Sequence, residues 1–190
     1  YPENIYVFDI NLRIGKYYFQ KEDFEKAQEW LQQVPAREVE KDDREELLFK
    51  LGYAALQNLD NEIAYSAFRD CKDGSGPYAM PSLYFFSHLS YLKNANQLAL
   101  EGFLKLQNDS TFCGVAPYYI AQIYQKQGQY EEVIKMSPSI IKCSYVDNEA
   151  DVNHIIGNAF YKTGQYEKAI PHLENFAKNG KPGRSDAYEL

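Results

Sequence analysis

The stretch Ile156–Ile170, which reads I-G-N-A-F-Y-K-T-G-Q-Y-E-K-A-I, decides the fold. The T-G-Q turn at 163–165 separates two segments in which apolar residues recur at helical spacing. Gly157 precedes the turn and Ala169 follows it, so that two small residues would face each other where two helix backbones approach closely. The stretch therefore predicts a helix–turn–helix hairpin.

This pattern recurs four times toward the N-terminus, which is typical of a repeat protein. The equivalents of Gly157 are Gly15, Gly52, His88 and Ala121, at spacings of 37, 36, 33 and 36 residues. The equivalents of Ala169, at the same spacings, are Ala27, Ala64, Leu100 and Val133. The position of the turn glycine is taken by Leu59 in the second repeat and by Ala95 in the third.

The repeats predict an all-α protein, because every repeat has two amphipathic segments and no segment alternates like a strand. A single hairpin cannot bury its apolar face, so neighbouring hairpins should stack into an α-solenoid. One array is expected, with repeats at 8–41, 45–78, 81–112, 114–147 and 150–183. Residues 184–190 look like the start of a sixth repeat, which predicts self-association through an uncapped C-terminal end around Leu173 and Phe176.

Composition excludes several classes of function. The net charge of −7 argues against a nucleic-acid partner, because binding to phosphates requires an excess of Lys and Arg. Cys71, Cys113 and Cys143 form no C-x-x-C motif, so neither a zinc site nor a disulfide framework is expected. No run of eighteen apolar residues predicts a membrane span. The start at Tyr1 suggests a processed product or an excised fragment, whose export signal would lie outside the sequence.

No motif for catalysis is present. His88, His154 and His172 form no H-E-x-x-H motif, and no phosphate-binding glycine loop or nucleophile elbow occurs. His154 and Asp151 share a helical face, but two ligands make a weak metal site. We therefore expect neither an enzyme nor a cofactor. The acidic run at 38–46 begins a predicted helix, where acids would cap free N–H groups.

In period and in its G…Y…G-x-Y…A order, the sequence resembles the tetratricopeptide repeat, most closely in the fifth repeat. The resemblance implies a right-handed superhelix whose concave groove, lined by the first helix of each repeat, binds a protein or peptide. The segments P-Y-A-M-P-S-L-Y-F-F-S-H-L-S-Y-L, A-L-E-G-F-L-K-L and P-Y-Y-I-A-Q-I-Y also resemble large repeat proteins of the bacterial cell envelope. A periplasmic or envelope location is therefore expected, with a cytoplasmic location as the alternative.

The resemblance also indicates where the groove would be. One subclass clamps a C-terminal carboxylate with Lys and Asn one helical turn apart, but no such pair occurs in that order here. The corresponding pairs are Leu12/Lys16, Phe49/Tyr53, Phe85/Leu89, Tyr118/Gln122 and His154/Asn158. Phe49, Phe85 and Tyr118 are expected to form one row along the groove, with Tyr119 also in its lining.

Three lysines are expected at the rim of the groove. They are Lys93, Lys126 and Lys162. Alternatively, these lysines are only cations at the C-terminal ends of helices, where they interact favourably with the helix dipole.

The predicted function is accordingly a scaffold that binds a partner segment having apolar anchors and an acidic flank. Two alternatives stay open. One is an architectural spacer that packs on the rest of a longer chain. The other is the adaptor or sensor array of a larger signalling protein.

Overall fold

The computed structural model describes residues 3–143 and 149–180, and within them every regular element is helical. This confirms the predicted all-α class. The helices are α1 (Glu3–Gln20), α2 (Phe24–Leu31), α3 (Lys41–Gln57), α4 (Asn61–Cys71), α5 (Ala79–Leu92), α6 (Asn96–Leu106), α7 (Ala116–Lys126), α8 (Tyr130–Cys143), α9 (Glu149–Lys162) and α10 (Tyr166–Asn179), with a short 3₁₀ turn at Ala36–Glu38. The odd-numbered helices are the first helices of the repeats and the even-numbered ones are the second helices.

The turn between the first and second helix is the same in every repeat. The first helix ends two residues before a residue with positive φ, and the second helix begins two residues after it. Such a backbone conformation favours Gly, and Asn tolerates it better than other residues do. The residues in this conformation are Glu22, Leu59, Asn94, Gly128 and Gly164.

The turn corrects the predicted register of the third repeat. The left-handed residue is Asn94, with a φ of 58°, whereas Ala95 has a φ of −78° and precedes α6. The prediction was wrong by one residue because no glycine marks this turn. Counted from Asn94, the equivalents of Gly157 and Ala169 are Ser87 and Ala99, and both are fully buried.

Contacts group the chain into two compact units, one up to Lys93 and one from Asn94. In the N-terminal unit, α1 packs on α2, α2 on α3, α3 on α4 and α4 on α5, and α1 also contacts α3. One part of its core joins α1, α2 and α3 through Leu12, Leu31 and Leu47. Another joins α3, α4 and α5 around Phe68 and Phe86.

In the C-terminal unit, each helix from α6 to α10 packs on the next one in the chain, and α7 also contacts α9. Val133, Ile156 and Ala169 lie in its core. The predicted end patch at Leu173 and Phe176 is half-buried on α10. The predicted start of a sixth repeat at 184–190 lies outside the described residues.

Close approach of the two helices explains the small residues on the first helix. A Cβ added to Gly52 would lie 2.8 Å from the ring of Phe68 on α4. One added to Gly157 would lie 2.8 Å from the side chain of Leu173 on α10. On the second helix, Ala64 and Ala169 are likewise buried. The hairpins thus have no room for larger side chains at these positions.

The turn predicts a stabilising substitution. Leu59 is exposed and has a φ of 62°, so that its side chain costs backbone energy without contributing packing. Leu59→Gly should raise the free energy of unfolding by about 1 kcal/mol. Gly128→Ala is the matched control, and it should lower the value by about 1 kcal/mol. Urea denaturation measures both, and a destabilised Leu59→Gly would contradict the turn geometry.

The register predicts which small residues are indispensable. Ala64→Leu and Ala169→Leu should each lower the free energy of unfolding by about 1–3 kcal/mol, because each overpacks a helix contact. Ala99→Leu should also lower the free energy of unfolding, because Ala99 on α6 is fully buried. Ser66→Leu, on the exposed face of α4, should change stability by less than about 0.5 kcal/mol. Thermal unfolding of Ala99→Leu that matches the parent would contradict the corrected register.

Candidate protein-binding surface

A network of charges connects α1 and α3. Lys16 Nζ donates hydrogen bonds to Asp43 Oδ1 at 2.7 Å and to Glu46 Oε2 at 2.6 Å. Lys50 Nζ lies 2.6 Å from Glu46 Oε1, and it also lies 5.3 Å from the ring centroid of Phe19. Side chains one helical turn apart on α3 therefore hold the lysine of α1 in place.

Burial and ion pairing have opposite effects on the pKa of Glu46. Burial favours its neutral form, but the hydrogen bonds and charges of Lys16 and Lys50 outweigh this and hold the pKa of Glu46 below its ordinary value. For the same reason the pKa of Lys16 is raised despite its partial burial. Lys16 and Glu46 are therefore both charged at neutral pH, and the network binds its own two helices together.

Next to these charges lies an aromatic cluster. The rings of Phe49 and Tyr53 on α3 are 6.2 Å apart, and the ring of Phe85 on α5 lies 6.3 Å from Phe49 and 5.8 Å from Tyr53. We call these three residues the aromatic cluster. All three are half-buried, so each residue keeps part of its surface accessible. Rings in these stacked, tilted and edge-on arrangements stabilise one another beyond the area they bury.

The sequence places the cluster through helical spacing. Phe49 and Tyr53 are four residues apart and therefore lie on one face of α3. Phe85 stacks on Phe68 of α4 at 4.9 Å, and Tyr53 has Phe19 and Phe24 as neighbours at 5.7 Å. Each ring of the cluster thus packs against neighbouring helices and also contributes to the surface.

Several predicted groove residues are interior instead. Leu89 is 2% exposed and belongs to the core around Phe68. Tyr118 is 6% exposed in the core of the C-terminal unit, where its hydroxyl accepts a hydrogen bond from Gln122 Nε2 at 2.9 Å. Tyr119 is buried too and stacks on Phe103 at 4.8 Å. These three aromatic or apolar side chains offer no contact area to a partner.

The remaining predicted residues of the C-terminal unit lie on α7 and α9. His154 is half-buried, and its ring stacks on Phe176 of α10 with centroids 4.4 Å apart. Asn158 is half-buried, and Lys126 and Lys162 are exposed at the ends of their helices. A second histidine of this unit also stacks on an aromatic ring. The ring centroids of His172 and Phe160 are 5.8 Å apart.

Lys93 does not occupy the same position as the other two lysines. It follows the last residue of α5, whereas Lys126 and Lys162 are the last residues of α7 and α9. Its Nζ lies 2.7 Å from Glu62 Oε1 and 4.5 Å from the ring centroid of Tyr65, so it binds α4. Lys93 therefore lies one residue out of register with Lys126 and Lys162.

The corrected register adds residues that the sequence reasoning missed. Tyr84 and His88 are the third-repeat equivalents of Phe49 and Tyr53, and their rings stack in parallel at 6.2 Å. Burial lowers the pKa of His88. Asn94 was the signal that would have found them, since Asn accepts the left-handed conformation more readily than Ala does.

The acidic run at 38–46 does more than begin a helix. Glu40 is the N-cap residue of α3 but makes no side-chain capping bond, contrary to the expectation. Glu45 is buried, and its carboxylate accepts hydrogen bonds from the backbone N–H groups of Ser75 and Gly76 at 2.9 and 2.8 Å. It therefore fastens the loop between α4 and α5.

Within residues 3–143 and 149–180, no group of three or more His, Cys, Asp or Glu side chains is arranged to hold a metal ion. A search of the same residues finds no helix long and apolar enough to cross a membrane. Burial raises the pKa of the Cys71 thiol, whose Sγ lies 3.4 Å from the carbonyl oxygen of Glu45. Cys71 therefore occupies a core position.

Comparison with known proteins agrees with this architecture. Residues 8–34 and 150–177 match the tetratricopeptide repeat family. No curated protein matches the sequence. The matched segments are the first and fifth repeats.

Solved structures of MamA share the fold. One MamA structure is 18% identical with a TM-score of 0.66, and covers 90% of this chain and 91% of its own. MamA AMB-1 is 15% identical with a TM-score of 0.69, at 92% and 96% coverage. A double mutant, MamA RS-1, is 17% identical with a TM-score of 0.69, at 90% and 93% coverage. The chain thus has the fold of a tetratricopeptide-like helical solenoid.

The charge network predicts a pH-dependent contribution to stability. Glu46→Gln should lower the free energy of unfolding by about 1 kcal/mol at pH 7. Because the folded pKa of Glu46 lies below its ordinary value of 4.5, this contribution is present above that value. It is lost as the pH falls through the folded pKa.

Urea denaturation of parent and variant at pH 7 and at pH 3 measures the difference. Glu132→Gln removes an exposed pair with Lys135 and serves as the control, with little change expected at either pH. A Glu46→Gln deficit of the same size at both pH values would contradict the ion-pair interpretation.

Proposed function

We propose that this protein is an interaction scaffold of a bacterial envelope assembly, and that its N-terminal unit binds an extended partner segment. The fold supports the general role, since helical-repeat proteins present long surfaces to which proteins bind. The binding surface we propose is the aromatic cluster, Phe49, Tyr53 and Phe85, together with the neighbouring Lys16–Glu46–Lys50 network.

The observation that carries the proposal is the partial exposure of the aromatic cluster. Its rings are already ordered by contacts with one another, so a partner would bury them at little cost in side-chain entropy. Aromatic residues that are rigid before binding are frequent anchors in protein interfaces. Apolar side chains of a partner segment would therefore dock on these rings.

The charges beside the cluster indicate which flanking residues a partner segment should carry. Lys16 and Lys50 are both paired with Glu46, and Lys16 also with Asp43, so this end of the surface is close to neutral. The acidic flank expected for the partner is therefore not favoured in the N-terminal unit. A segment with apolar anchors and uncharged polar flanks fits the surface better.

The proposed envelope location rests on the resemblance of three segments to exported repeat proteins of bacteria. Cell fractionation with an antibody against the chain is expected to recover it with the periplasm or the membranes. Recovery in the cytosol alone would contradict the location and leave the binding proposal unaffected.

A second candidate function is that of an architectural spacer. The burial of Leu89, Tyr118 and Tyr119 favours it, because these rings and side chains, expected in a groove, instead hold helices together. In a spacer, the aromatic cluster would likewise serve packing alone. Binding measurements on variants of the cluster separate the two functions.

Peptides selected from a random phage-displayed library on the purified chain should carry apolar anchors. Tyr53→Ala is expected to weaken their binding by about tenfold, measured by isothermal titration calorimetry, because it removes the central ring of the cluster. Tyr65→Ala is the matched control. Tyr65 is also half-buried and packs on Phe86 at 4.9 Å, but from α4.

Tyr65→Ala should lose stability as Tyr53→Ala does, but it should bind the selected peptides with the affinity of the parent. Equal affinities for the two variants, with both folded by circular dichroism, would show that the cluster is not the binding surface. The spacer function would then be preferred.

A further inference from the structure

The first helix exposes an apolar stripe. Val7, Ile10, Ile14 and Tyr17 follow one another at intervals of three or four residues and therefore share one face of α1. Ile10 is 52% exposed, Val7 and Tyr17 are similarly exposed, and Ile14 is half-buried. We call these four residues the α1 stripe.

The later first helices bury the positions of Ile10 and Tyr17. Counted from the left-handed turn residue, Ile10 corresponds to Leu47, Ser82, Ala116 and Val152, all of them buried. Tyr17 corresponds to Ala54, Leu89, Ile123 and Ala159, which are buried as well. In each case the second helix of the preceding repeat packs on the first helix that carries them, as α2 does on α3 and α4 on α5. The α1 stripe therefore has the pattern of a surface that a second helix covers.

Helix α10 exposes the other side of that contact, which is the face that a second helix packs against the next first helix. On α10, Ile170 is 53% exposed. It corresponds to Tyr65 on α4, whose ring packs on Phe86 of α5. Phe86, counted in the same way, corresponds to Ile14 in the α1 stripe. The first and the last of the described helices thus carry the two halves of one repeating interface.

We propose that the protein associates head to tail, with α10 of one copy packed on the α1 stripe of the next copy as α4 packs on α5. Ile170 would then contact Ile14 of the next copy. Phe176 would contact Ile10, as the corresponding residues Val34 and Leu47 share a core in the N-terminal unit. The association continues from copy to copy, because a head-to-tail contact leaves a free head and a free tail on every product.

Charge favours a second copy of this chain as the occupant. Where α4 packs on α5, Glu62 and Lys93 form an ion pair at 2.7 Å. The corresponding residues at the first and last described helices are Lys21, just after α1, and Glu167 on α10, and both are exposed. A second copy therefore supplies an opposite charge at the position where the internal interface has one.

Sedimentation-velocity measurements on the purified 190-residue chain test the proposal. The average mass of the parent should rise with concentration above that of one chain. Ile10→Glu blocks the head and Ile170→Glu blocks the tail, because each would place a charge in an apolar contact. Each variant alone should be monomeric, and an equal mixture of the two should form a dimer and nothing larger.

Charge-reversal variants test the proposed contact in a second way, through the dissociation constant of the association. Lys21→Glu and Glu167→Lys should each raise the dissociation constant, and the double variant should regain most of the loss because the pair is restored with reversed sign. Leu98→Glu replaces an exposed apolar residue on α6, away from both ends, and should associate like the parent. Circular dichroism and thermal unfolding confirm that the variants are folded.

Four results would overturn the proposal. They are a parent that is monomeric at every concentration, a mixture of Ile10→Glu and Ile170→Glu that stays monomeric, association by either of these variants alone, and a Leu98→Glu variant as impaired as they are. Association by Ile170→Glu alone would indicate a symmetric contact between two α1 stripes instead.

Discussion

The close approach of two helices across a left-handed turn is the constraint on which the rest of the structure depends. In every repeat, one residue with positive φ ends the first helix two residues earlier and starts the second two residues later. In the second repeat, for example, this fixed length brings Gly52 of the first helix against Phe68 of the second. Any larger side chain there would force the hairpin apart, so the turn and the small residues specify the fold together.

The same turn decides which side chains reach the surface. Successive residues of an α-helix point about 100° apart, so an error of one residue replaces the whole exposed face of a helix. In the third repeat, correcting this error makes Tyr84 and His88 the equivalents of Phe49 and Tyr53. The uncorrected register had assigned Phe85 and Leu89 to these positions. A residue in the turn, Asn94, thereby determines which side chains of α5 are comparable with those of the other first helices.

Packing and binding share the same aromatic side chains in this protein. Phe49, Tyr53 and Phe85 hold α3 and α5 together through ring contacts, yet each remains partly exposed. Burying them completely would remove the surface, whereas exposing them completely would leave the rings without fixed positions. The charges at Lys16, Glu46 and Lys50 satisfy one another in a similar way, and so stiffen this face without giving it a strong net charge.

The sequence by itself determined the fold class, the repeats and most small buried positions, because helical periodicity and the glycine-marked turns are local signals. Gly128 and Gly164 could be identified from their letters, and both have positive φ. Burial of the predicted groove residues was decided only by the tertiary structure. Tyr118 and Phe85 are both aromatic residues of a first helix, but one lies in a core and the other is half-exposed. The difference depends on which neighbouring side chains cover each ring, and those neighbours are distant in the sequence.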